Sequence, residues 1–332
     1  MRERPFLPLW VKPAEDEPAH GLVLRLAERN GFRKISHLTS RTGTITDLRR
    51  GIGIERLSEI LRCDAAKIER STPCLDVEKS LVLRGERPSR NRTWLSSHRR
   101  ACPVCIFEEP YHRFWFDIGH VNTCPKHFVE LVDECSCGNR LSWRDVGIAK
   151  CSYCQSGSVI NTYLKPARPA VVAMDTWALG RFGVGERIDI PSLESTSVCT
   201  AYEIFYRVGA LDVGGWIGNG GYPVDFDISK AEVRATGFEI MKNGTLDKLL
   251  DRIATGVLRR RGQRKILPTI TIGYGWFGEW FESWRKVRPI ARAKLQFIEL
   301  VLANAARHGL ARQEGASIHG KGDASAMGPA IR

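Results

Sequence analysis

Cys102-Pro-Val-Cys105, Cys124-Pro-Lys-His127, Cys135-Ser-Cys137 and Cys151-Ser-Tyr-Cys154 follow one another and hold seven of the chain's ten cysteines. Each pair is spaced so that a tight knuckle aims two ligand atoms at one point. In order they supply three sulfurs and an imidazole, then four sulfurs, which are two complete tetrahedral sets. Eight ligands in paired spacing are not explained by cysteine as a small buried hydrophobe. The compact pairs and the histidine favour two structural zinc ions over iron–sulfur clusters. Closed four-ligand sites keep no position for an activating water, so the metals are expected to brace rather than catalyse. Cys135 and Cys137 are one residue closer than the usual knuckle, and Gly138 would let the chain turn sharply there. His112 and His120 offer alternative ligands, but the paired positions make the better set. The two histidines then fall to the ribbon's surface or its small core. Cys63, Cys74 and Cys199 have no partner at ligand spacing and read as packing residues.

The remaining chain is expected to be mainly α, in helix-turn-helix-like modules around this small β-containing double zinc ribbon. In the first block, 1–83, GLVLRLAERNG carries a helical apolar face ending at Asn30-Gly31, and IERLSEIL places Ile54, Leu57, Ile60 and Leu61 together. Asp64 can cap a second short helix through AAKIER, giving either a helix-turn-helix or a plain helix pair. Residues 84–100 read as a basic connector, 101–160 as the double ribbon, and 161–313 as a further helical domain entered through the linker YLKPARPAVV. Helices are expected in TAYEIFYRVGAL, SKAEVRATGFEIMKNG, TLDKLLDRIATGVLRRR, GYGWFGEWFESWRKV and KLQFIELVLANAARHG. Ser229 with Glu232 forms a capping box, and Asn243-Gly244 a stop. The glycine-rich VGGWIGNGGYP reads as a loop, and the tail 314–332 as disordered.

The 332 residues carry a net charge of +13, and the excess is local. Arg84, Arg87, Arg90, Arg92, Arg99 and Arg100 crowd the approach to the ribbon against Glu86 alone. Arg259, Arg260, Arg261, Arg264 and Lys265 form a second run. Guanidinium forks suit phosphate oxygens, so both runs are candidate nucleic-acid contacts, with DNA the expected partner. No segment reaches the roughly 18–20 apolar residues of a membrane span. The start has no continuous apolar signal region, so a cytoplasmic, reducing setting is expected, which favours metal thiolates.

The run RRACPVCIFEEPYHRFWFDIGHVNTCPKHFVELVDECSCGNRL resembles the TniQ family of transposon target-selection proteins. It carries CPxC, a middle stretch with His112, Arg113 and Trp115, CPxH, a leucine-bearing strand and a Cys-x-Cys-Gly knuckle. Leu24, Arg25, Leu26, Ala27, Asn30 and Gly31 are similar to the family's first helix, and LSEILRCDAAKIERSTP to the segment after it. The resemblance covers roughly residues 5–155; beyond that, GYGWFGEWFESW alone is similar to longer members. Glu17-Pro18-Ala19-His20-Gly21 departs from the family's Glu-Ser-Leu start, so that helix is expected to begin differently. The resemblance implies a non-catalytic adaptor that marks an insertion site and recruits an AAA+ ATPase. It also implies direct DNA recognition or docking on a guide-RNA effector complex, and homodimers. A zinc-ribbon DNA-binding transcription regulator is the alternative. A nuclease fits less well, because no carboxylate cluster with metal spacing stands out. Asp225 and Asp227 form the nearest acidic pair, and a turn before a helix accounts for them.

Overall fold

A computed structural model describes residues 7–87, 94–154, 158–215, 226–261, 269–286 and 295–310, with the side chains at 260, 261 and 295 left aside. The glycine-rich loop from Trp216 onward, the tail, Asp225, Arg90, Arg92, Arg264 and Lys265 lie outside these residues. Within them the fold is mainly helical, with two short hairpins.

The chain opens with α1 (Ala19–Arg29), α2 (Ser36–Thr42), α3 (Ile45–Leu48), α4 (Ile54–Leu61) and α5 (Ala65–Glu69). Helix α1 buries Leu22, Val23, Leu24, Leu26 and Ala27, almost all of its surface. It stops at Asn30, whose Nδ2 donates to Leu26 O at 2.9 Å. Its N-cap is Pro18, which offers no side-chain acceptor. The expected pair α4 and α5 forms, and Asp64 accepts from Ala66 N at 3.0 Å. Its second helix spans five residues. Helices α2 and α3 come in addition, the latter held by a Thr44/Asp47 capping box.

A hairpin of β1 (Cys74–Leu75) and β2 (Leu81–Val82) leads to the cysteine-rich region. There α6 (Pro103–Glu108) grows out of the first knuckle, and β3 (Thr123–Cys124) pairs antiparallel with β4 (Val129–Glu130), Cys124 opposite Val129. The expected linker is instead structured. Glu130 N donates to Lys165 O, Ala167 N donates to Phe128 O, and α7 (Pro169–Arg181) starts directly afterwards on Pro169 at its first turn.

Helices α8 (Val198–Gly214), α9 (Lys230–Lys242), α10 (Leu246–Arg261), α11 (Ile270–Tyr274), α12 (Trp276–Arg285) and α13 (Leu295–Arg307) follow among the described residues. The Ser229/Glu232 capping box opens α9 as expected. GYGWFGEWFESWRKV forms two helices rather than one, because Gly275 turns the chain at φ +57°. Helices α8 and α9 cross backbone to backbone: a Cβ on Gly209 would stand 1.8 Å from Val233 O, and one on Gly237 1.9 Å from Phe205 O. One continuous apolar core runs from Val11 to Leu310.

Candidate metal centres and their supports

The first knuckle is a helix start. Cys102 ends an extended stretch and Pro103 presets the first helical φ, which turns Cys105 back beside Cys102. The β3–β4 hairpin brings Cys124 and His127 opposite them. Cys105 Sγ lies 3.5 Å from Cys124 Sγ, and His127 Nδ1 lies 3.4, 3.2 and 3.5 Å from the sulfurs of Cys102, Cys105 and Cys124. A tetrahedron with zinc–sulfur bonds of about 2.3 Å has edges of roughly 3.5–3.8 Å, so the four positions fit a cation. The hydrogen bond from Cys102 pushes the Cys105 thiol up, while those from Cys102 and Cys105 pull Cys124 down to about 2. Thiols packed this closely cannot all ionise without a cation among them. Glu108 Oε1 stands 3.1 Å from the outer nitrogen of His127, where a carboxylate orients a ligating imidazole.

In the second group Cys135 Sγ lies 3.7 Å from Cys154 Sγ, and Cys137 Sγ 3.9 Å from Cys151 Sγ. All four sulfurs stay within 4.8 Å of one another, so the shorter Cys135-Ser-Cys137 pair closes as compactly as the rest. Cys137 is exposed, and the Asn139 side chain donating to it lowers its thiol to about 6. His112 and His120 stand apart from both groups. His120 is half-buried and stacks on Tyr202 of α8 at 5.2 Å; burial first, then Arg234, lowers it to about 3.

The arginines expected at phosphates occupy different positions. Arg99 is 1% exposed: Nη2 donates to Asp145 Oδ2 (2.7 Å) and Lys150 O (2.8 Å), and Nη1 to Ile148 O (2.6 Å). Arg100 donates to the carbonyls of Phe116, Ile118 and Val121. Arg84, with a 9% exposed side chain, joins Asp16 (2.7 Å), Arg70 O (3.0 Å) and Phe182 O (3.1 Å). These three are corrected from surface cations to internal ties, since their donors are already taken by carbonyls and carboxylates. Arg87 is exposed but flanked by Asp76 and Glu78 at 3.2 and 3.3 Å. Arg259 is exposed on α10; the side chains of Arg260 and Arg261 lie outside the described residues, as do Arg90, Arg92, Arg264 and Lys265. Among the described residues Arg29, Arg33, Lys34, Arg41, Arg50 and Arg56 are exposed without an ion pair. They are scattered along the sequence rather than consecutive, so no charge run marks them.

Asp175 of α7, fully buried, is a support that had no sequence signal. It accepts from Asn122 N (2.8 Å), Thr123 N (2.9 Å), Thr123 Oγ1 (2.8 Å) and Tyr202 Oη (2.8 Å), tying β3 to α7 and α8. Burial pushes its carboxyl up to about 6 against these donors.

The fold and site define a helical protein with a compact cysteine-rich centre that could hold two metal ions. Residues 8–131 match the TniQ family model, that of a family associated with transposition. The match takes in α1 to β4 and all four residues of the first group, and ends just before Cys135. No curated protein matches the chain. Among the described residues no helix is long and apolar enough to cross a membrane.

Proposed function

We propose that this protein is a non-catalytic target-selection adaptor for DNA transposition, which marks the insertion site and recruits the AAA+ transposition ATPase. The observation that carries the reading is the TniQ match over residues 8–131, which ends immediately after the first compact metal-type group. Zinc is the metal we assign to both groups, with Cys102, Cys105, Cys124 and His127 holding one ion and Cys135, Cys137, Cys151 and Cys154 the other. Tetrahedral N/S sets are zinc's usual structural sites, and such closed sites stiffen a scaffold.

Contact with DNA, directly or through a guide-RNA effector complex, would use the unpaired cations of α1–α4 and the Arg259–Arg261 run on α10. Arg84, Arg99 and Arg100 would act on it only through the scaffold. A homodimer in the cytoplasm fits the same reading, and the divisions at 83, 100, 160 and 313 remain its proposed module boundaries. Co-purification of the chain with the AAA+ ATPase of its transposon, with and without target DNA, tests the reading. A complex is expected. DNA binding with no ATPase complex under either condition would instead favour a transcription regulator.

A further inference from the structure

Apart from the two cysteine groups, one set of ligand-type side chains converges among the described residues: His20 on α1, His112, and Asp117 at the end of the 3-10 turn Phe114–Asp117. Their ligand atoms lie within 4.8 Å of one another, and none of the three is more than 2% exposed. His20 Nε2 lies 2.7 Å from Asp117 Oδ2, in hydrogen-bond geometry. His112 Nε2 lies 3.1 Å from Asp117 Oδ1, yet neither atom has a hydrogen-bond partner. The two atoms are thus buried side by side with polar capacity to spare. Two imidazoles and a carboxylate packed this closely supply the donor types of a metal-ligand set.

The protonation states agree. Burial lowers His20 to about 4, leaving it neutral at pH 7. Burial works against ionising Asp117, but His112 and His20 beside it hold its carboxyl well below the usual range. The ring of Trp143 stands edge-on to both imidazoles, at 4.7 and 5.0 Å, and walls the cluster. Gly21 permits the approach, because a Cβ there would lie 2.8 Å from His112 Cβ.

We propose that His20, His112 and Asp117 form a third divalent-cation site, with zinc favoured by its two-nitrogen, one-oxygen donors. Both His112 and Asp117 lie in the segment joining Cys105 to Cys124, so the ion would pin α1 to the loop that closes the first cysteine group.

Zinc per full-length chain, measured by elemental analysis, tests this against the Asp117→Asn variant. The wild type is expected to carry one zinc more than the variant, about three against two if both cysteine groups are filled. Equal counts overturn the site. Should the variant not fold, cobalt titration of the metal-free wild type gives the answer. One equivalent that adds visible d–d absorption without a thiolate-to-cobalt band supports the site; cobalt binding only with thiolate bands overturns it.

Discussion

Replacing Arg99 with alanine separates a structural tie from a phosphate contact. Its guanidinium holds Asp145, which is completely buried and also accepts from Ser142 N (2.9 Å), Ser152 N (2.8 Å) and Ser152 Oγ (2.6 Å). Removing one partner of a buried pair leaves an uncompensated charge, at a cost of about 3–5 kcal/mol. The carbonyls of Ile148 and Lys150 also lose their donors, worth about 1 kcal/mol each before water enters the gap. Against a total stability of about 5–15 kcal/mol, a combined loss of about 5–7 kcal/mol is severe. It falls locally, because Ser152 sits between Cys151 and Cys154. Arg99→Ala is therefore expected to lower the melting temperature and to release metal from the second group at lower chelator concentration. Arg99→Lys should not rescue it, since one ammonium cannot span these acceptors. An unchanged melt and metal count, with a salt slope of DNA binding flatter by about one, would refute the reasoning and return Arg99 to the phosphates.

At the α8–α9 crossing, Gly237→Ala forces a Cβ into Phe205 O and should cost at least the roughly 1–3 kcal/mol of overpacking, whereas Gly256→Ala on α10 meets nothing and should gain up to about 1 kcal/mol. Thermal melts of the two variants should move in opposite directions. Glu17, buried and bonded to Arg25, is raised by that burial from 4.5 to about 7, so the folded state holds its proton more tightly. Its contribution to stability is complete below about pH 4.5 and is lost as pH rises towards 7. Denaturation of Glu17→Gln across that window should show a flatter pH dependence than the wild type; parallel curves would count against it. Replacing Arg259, Arg260 and Arg261 together with alanine should weaken DNA binding and flatten its salt slope by up to about three, and an unaltered slope would place DNA elsewhere.

The cysteine pairs were legible because ligand spacing is a local property, and so were α4, whose Ile54, Leu57, Ile60 and Leu61 share a buried face, and α9, opened by its Ser229/Glu232 capping box. Helix α7 was not. Val171, Val172, Met174, Trp177 and Leu179 are all buried, so it has no polar face to reveal a period, and its opening prolines look like a linker. Helices α2 and α3 are too short to show a period, although Thr44 and Asp47 carried the cap signal. Charge misled most. A run of arginines states how much positive charge is present, not where it points, and Arg84, Arg99 and Arg100 turn inward to carbonyls that only the folded chain assembles. Asp175 and the His20–His112–Asp117 cluster unite residues from distant parts of the sequence, beyond the reach of any spacing rule.

The central claim, that this chain chooses where a transposon inserts, is tested most directly by mapping insertions in cells that carry the transposase and ATPase, with and without it. The account predicts a defined insertion site that is lost or redistributed without the chain, and likewise in the Cys102→Ser, Cys105→Ser variant. Insertions at the same site and frequency in its absence would contradict the account.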